Sequence, residues 1–164
     1  MAFPFIKQYD SMDCGPTCLA IVSKYYGKNF RVESLRQKTQ IGKAGVNLLG
    51  ISEAAEIIGF KSRGIKISFK ELIEDAEKPA ILHWKQNHFV VLTPKASRNQ
   101  ITIADPAKGI ITYNKKQFLK GLVANCNPSS MIGFRSDSRL KSLNDLFYCG
   151  HGNCRASRYN LHGL

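Results

Sequence analysis

Between Ala80 and Tyr113 four short runs rich in β-branched and aromatic residues follow one another: AILHW, HFVVLT, QITIAD and GIITY. The separators KQN, PKASRN and PAKG read as turns. Strands joined by connections this short pair antiparallel, because a parallel pair needs a crossover of a dozen residues or more. The stretch therefore predicts an antiparallel meander of about four strands, and this constrains the fold more than any other feature.

The chain before Ala80 has a helical texture. In CGPTCLAIVSKYYG the residues Cys18, Leu19, Val22, Tyr25 and Tyr26 recur at helical spacing. Pro16 fits the first turn and Gly27 is a stop. RVESLRQKT predicts a short helix, and NLLGISEAAEIIGF an amphipathic one ending at Gly59. Ser68 and Glu71 stand at capping-box spacing and open a short helix that stops before Pro79. After the strands, NKKQFLKG predicts one more helix with Asn114 as its cap. Helices first and strands afterwards give an α+β fold.

At 164 residues the chain suits one domain, expected over residues 1–122. From Val123 to Leu164 the sequence is rich in Ser, Asn, Gly and Arg without a clean period. Only RLKSLNDLFY is weakly helical. This tail is expected to be poorly packed or disordered.

The formal net charge is +12. Residues 1–122 carry 19 Lys/Arg against 10 Asp/Glu, which reads as a charge spread over a solvated surface. No helix-turn-helix, RRM or zinc-finger pattern accompanies it, so no nucleic-acid partner is expected. Five cysteines are an odd count. The start, MAFPFIKQYD, lacks a basic region followed by an apolar one. Together these predict free thiols in a reducing, cytoplasmic setting. No run approaches the length of a transmembrane span. In the tail, CGHGNC supplies Cys149, His151 and Cys154, with Cys126 or His162 as further donors, but the spacing fits no four-ligand zinc pattern. No metal and no cofactor is expected.

Chemistry concentrates in QYDSMDCGPTC, residues 8–18. Cys14 opens the first helix, and a thiol at the positive end of a helix macrodipole is favoured as thiolate. Gly15 and Pro16 keep bulk away from the approach to the sulfur; Cys18, four residues on, reads as a structural thiol. His88 opens the strand HFVVLT, at an end of the sheet where a ring can reach a cleft. His83, in AILHW, is the rival base. Asp105 ends QITIAD, 17 residues after His88. In adjacent antiparallel strands those two ends become neighbours, so the carboxylate can accept from the imidazole, although an Asp before Pro106 is also an ordinary turn initiator. Gln8, six residues before Cys14, can aim a side-chain N–H at a developing oxyanion. A nucleophile, a base, an orienting acid and an oxyanion donor are the parts of a thiol protease.

QYDSMDCGPTCLAIVSKYYG, NHFVVL and ADPAKG, in this order from about Phe5 to Leu122, resemble the peptidase C39 domains. These are papain-like cysteine proteases found at the N-terminus of bacteriocin-processing ABC transporters. The resemblance implies N-terminal helices packed on a C-terminal antiparallel sheet, with Cys14 as nucleophile, His88 as base, Asp105 as orienting acid and Gln8 as oxyanion donor. It also implies a substrate: a precursor peptide cut after a Gly-Gly motif, whose amphipathic leader helix docks on a shallow apolar surface. A cleft that admits only glycine beside the scissile bond would do this by steric exclusion. A membrane ABC transporter is the implied partner. The alternative is a module that holds a leader peptide for an exporter without cutting it. Apolar residues of NLLGISEAAEII are groove candidates, with the core the expected place for most of them. Two departures stand out. The chain has neither membrane spans nor a P-loop, which predicts a stand-alone or excised domain. After Leu122 the last apolar strand of the family is expected to be missing, or built from SSMIGF.

Overall fold

The computed structural model describes residues 2–39, 46–85, 88–122 and 129–136. A 3₁₀ turn, Ser11–Asp13, leads into α1 (Cys14–Tyr25), followed by α2 (Val32–Lys38), α3 (Leu48–Ile57), β1 (Phe60–Ile67) and α4 (Phe69–Glu74). Then come β2 (Ala80–Trp84), β3 (His88–Leu92), β4 (Gln100–Asp105), β5 (Gly109–Asn114), α5 (Lys115–Gly121) and β6 (Ser129–Ser136).

The helix ends are set by local chemistry. Asn47 caps α3, its Oδ1 accepting the Gly50 N–H at 2.7 Å. Ser68 with Glu71, and Asn114 with Gln117, both form reciprocal capping boxes at α4 and α5. Gly27 and Gly59 follow α1 and α3 with φ of +79°, the left-handed conformation that ends a helix.

Six strands form one sheet in the order β1-β6-β2-β3-β4-β5, with every neighbouring pair antiparallel. The expected meander β2–β5 is present. The sequence reading did not anticipate β1, and the expectation for the tail needs correction. Ser129–Ser136 pairs with β1 along its whole length and with β2 through Met131, Ile132 and Gly133. The fold thus continues past the boundary expected at Leu122, and the last strand is built from the SSMIGF segment. The rest of the expected tail, including Cys126, Cys149, His151, Cys154, His162 and the weakly helical stretch, lies outside the described residues.

The centre of the sheet is apolar on both faces. Phe89 and Val91 of β3 face the cluster built with Leu19, Ile21, Val22 and Ile51 of α1 and α3. Val90 and Leu92 face the other cluster, with Leu72 of α4 and Phe118 of α5. A strand covered on both sides reads as an unbroken apolar run, as HFVVL does. Each large apolar side chain buried in this way contributes about 1.5–3 kcal/mol. In α3, Ile51, Ala54 and Ala55 are fully buried, so the core takes most of the apolar residues offered as groove candidates. Leu49 and Ile57 remain on the surface.

Candidate active site

The antiparallel order β2-β3-β4-β5 places the start of β3 and the end of β4 at one end of the sheet, and α1 packs across β3 with its first residue at that end. The site is assembled there. The β3–β4 ladder stops at Val91↔Ala104, which leaves the first residues of β3 and the last residue of β4 beyond the paired stretch. His88 Nε2 lies 2.8 Å from Asp105 Oδ1. The same oxygen accepts the Ala107 N–H at 2.9 Å. The carboxylate therefore serves as turn initiator and as imidazole partner at once, and the two readings of Asp105 are not exclusive.

The Cys14 side chain lies close enough to the His88 ring to act on its proton affinity. Burial alone would lower the His88 pKa; the bond to Asp105 and the nearness of Cys14, with their charges, outweigh it and raise the pKa to about 9. For Asp105 burial pushes upward, and the bonds from His88 and the Ala107 N–H, with the positive charges of His88 and Lys108, hold it below its ordinary value. The pair is thus set as imidazolium and carboxylate at neutral pH.

Cys14 is the first residue of α1 and is nearly buried. Cys18 is fully buried in the core, and burial together with Cys14 and Asp105 pushes its thiol well above the usual range. Of the two described cysteines, only Cys14 meets the imidazole. His83, the rival base, instead stacks on Phe89 with ring centroids 5.2 Å apart.

Gln8 lies on the segment leading into α1. Its backbone N–H donates to the Pro106 carbonyl at 3.0 Å. Its Oε1 is buried without a partner, and the side-chain amide makes no hydrogen bond among the described residues. Its N–H donors are uncommitted, as an oxyanion donor requires before substrate arrives.

Two features differ from the sequence reading. A Cβ on Gly15 would collide with Val46 and press on Ile51. Its lack of a side chain permits close packing of α1 against Val46 and Ile51. The reading also passed over Asp13, the buried residue just before Cys14. Its Oδ1 is 3.4 Å from Arg36 Nε, which reaches over from α2. A carboxylate at the last position before a buried helix start was the available signal; nothing local pointed to Arg36.

The family profile described as Peptidase C39 family matches residues 2–125. The chain is 40% identical over 106 residues to the probable microcin-H47 secretion/processing ATP-binding protein MchF of Escherichia coli, a match covering 65% of this chain and 15% of that protein. It is thus similar to a small part of a much longer protein. Among solved structures it is similar to a double glycine motif protease from the AMS/PCAT transporter in complex with the leader peptide. There the TM-score is 0.74 and the identity 29%, over 81% of this chain and 91% of that one. It is also similar to the peptidase domain of Streptococcus ComA, a bi-functional ABC transporter, with a TM-score of 0.71 and 30% identity over 82% and 99% of the two chains. Helices against an antiparallel sheet, a cysteine at a helix start beside a histidine–aspartate pair, and these similarities agree: the chain has the papain-like fold and belongs to the peptidase C39 family of cysteine peptidases.

Proposed function

We propose that the protein is an endopeptidase that removes the leader from a secreted peptide precursor by cutting after a Gly-Gly motif. The observation that carries the reading is the contact of one imidazole with both Cys14 and Asp105 at the head of α1. Similarity to a double glycine motif protease supplies the substrate class.

In this reading Cys14 attacks the scissile carbonyl as thiolate. His88, held by Asp105, is the imidazolium beside it and passes its proton to the leaving amine. Gln8 donates to the oxyanion. Water then hydrolyses the acyl-enzyme, with His88 as base. A fully buried Cys18 takes no part.

The precursor's amphipathic leader helix would add affinity away from the sulfur. A membrane ABC transporter is the proposed partner, which places the peptidase at the cytoplasmic face of a membrane. Among the described residues no helix is long and apolar enough to cross one. The second reading, a module that binds a leader without cutting it, has no observation in its favour, since Cys14, His88 and Asp105 are all present and joined. The test is incubation with Gly-Gly precursor peptides and mass analysis of the products. The wild type is expected to yield two fragments split after the second glycine, and Cys14→Ala none. Equal cleavage by the Cys14→Ala protein excludes the reading.

A further inference from the structure

The positive charge is not spread evenly through the fold. Residues 2–77 carry 11 Lys/Arg and 9 Asp/Glu, whereas residues 78–122 carry 8 Lys/Arg and one acid. That acid is Asp105, which is buried and bound to His88. The excess therefore lies on the half of the molecule that contains β2 to β5 and α5.

Three of the exposed lysines hang from backbone that is tied directly to the site. Lys7 precedes Gln8, whose N–H is bonded to Pro106. Lys85 leaves β2 beside His88, since Trp84 and His88 are register partners. Lys108 lies in the β4–β5 turn, its N–H donating to the Asp105 carbonyl at 3.0 Å. None of the three ammonium groups is in a direct ion pair among the described residues; Lys108 acts on the buried Asp105 only at longer range. Some other cations of the molecule are engaged: Arg36 with Asp13, Arg98 with Glu74, Lys78 with the Ile73 carbonyl. Of the carboxylates near the same end, two are buried and the third, Asp10, remains an exposed anion that the three lysines outnumber. Asp13 and Asp105 are buried, and Asp10 accepts from the Met12 N–H and the Ser11 hydroxyl.

Lys85 adds a second kind of observation. Its φ is +47°, and its N–H donates to the Gly121 carbonyl at 3.0 Å. An L-residue other than Asn or Gly is disfavoured there, so a lysine side chain is held at this position against backbone preference. Such positions cluster at functional sites.

We propose that Lys7, Lys85 and Lys108 form a cationic rim around the active site that selects substrate peptides with acidic residues close to the scissile bond. The inference rests on the peptidase reading and refines its substrate. A peptide is favoured over an anionic membrane because the rim surrounds the groups that must receive a scissile bond, and a flat bilayer pressed on it would close the site. Exposed pairs are individually weak and act within a Debye length, so the effect is a preference among substrates, strongest at low salt.

The test uses the full chain with Cys14→Ala, so that binding is read without turnover. Two labelled Gly-Gly peptides are compared, identical except for Asp and Glu against Asn and Gln beside the glycine pair. The acidic peptide is expected to bind roughly tenfold tighter at low salt. That preference should vanish at high salt and in the variant carrying Lys7→Gln, Lys85→Asn and Lys108→Gln. Asn is chosen at 85 because it tolerates the left-handed backbone. Equal affinity for both peptides, or a preference that survives the three substitutions, overturns the proposal. So does displacement of the acidic peptide by phosphatidylglycerol vesicles through the same lysines, which assigns the rim to lipid. Wild-type cleavage of both peptides is measured in parallel. Cleavage without a binding preference sinks the rim alone, whereas a lysine-dependent preference without cleavage sinks the peptidase reading alone.

Discussion

The Gln8 N–H and the Pro106 carbonyl are joined at 3.0 Å, which fastens the segment before Cys14 to the turn that follows Asp105. One backbone bond thus sets the proposed oxyanion donor in register with the proposed acid. The side-chain amide contributes nothing to this link, so it can be removed without loosening it. Gln8→Ala is expected to lower kcat by roughly 10²–10³-fold while KM and thermal stability stay near wild type. Steady-state kinetics and a melting curve check this; a variant with wild-type kcat removes Gln8 from the chemistry.

The two described cysteines should differ sharply in reactivity. Cys14 touches an imidazolium, whereas burial drives Cys18 toward the neutral thiol. Brief treatment with iodoacetamide near neutral pH should label Cys14 and leave Cys18 unmodified in the native protein. Peptide mapping gives the answer. Cys18→Ala should keep most of the activity, with a modest loss of stability from the small cavity it leaves.

Asp105 can be separated into its two roles. Asn keeps an oxygen for the Ala107 N–H but carries no charge for the imidazolium, so Asp105→Asn should fold. It is expected to lower kcat by roughly 10²-fold. It should also bring the alkaline limit of activity down from about pH 9, toward the ordinary histidine value of 6.5. A pH–rate profile of both proteins measures this.

The same pair makes a prediction about stability. A folded-state pKa raised from 6.5 to about 9 means that the His88 contribution is complete below pH 6.5 and fades as pH rises through about 9. Asp105, held below 3.8, acts in the opposite sense: its contribution is present above that value and is lost as acid protonates it. Urea midpoints should therefore decline between pH 6.5 and 9 in the wild type, and decline less in Asp105→Asn. Parallel curves for the two proteins would mean that the pair does not stabilise the fold.

Gly15→Ala tests packing. The added methyl meets Val46 and Ile51, and overpacking of this kind costs about 1–3 kcal/mol. The melting temperature should fall with the rate of Cys14 alkylation little changed. Retained stability with slowed alkylation would restore the idea that this glycine keeps the sulfur accessible.

What the sequence revealed follows how local each signal is. The helices were legible because their limits are written within a few residues, as with Asn114 and Gln117 or Ser68 and Glu71. The meander was legible because β2 to β5 are apolar runs with turns between them. β1 was not: it is an edge strand whose interior, Lys61 to Lys66, is mainly polar and exposed. Charged edges discourage unwanted pairing and at the same time hide the strand from pattern reading. β6 was obscured by its Ser- and Asn-rich surroundings, and its partners lie far away in the chain. The site was legible at Cys14, His88 and Asp105 because a helix start and two strand ends are local features that the antiparallel order then gathers. Arg36 was invisible because only the docking of α2 against α1 brings it to Asp13.

The strand between β1 and β2 is supplied by residues 129–136, which follow every other described element in the chain. Until those residues are made, β1 has no neighbour in the sheet among the described strands. A ribosome-bound fragment ending at α5 would expose the facing edges of β1 and β2, open to any passing strand. The sheet should therefore close only once residues 129–136 have emerged and filled the gap between β1 and β2. The continuity of the sheet thus depends on the order in which the chain's own residues emerge.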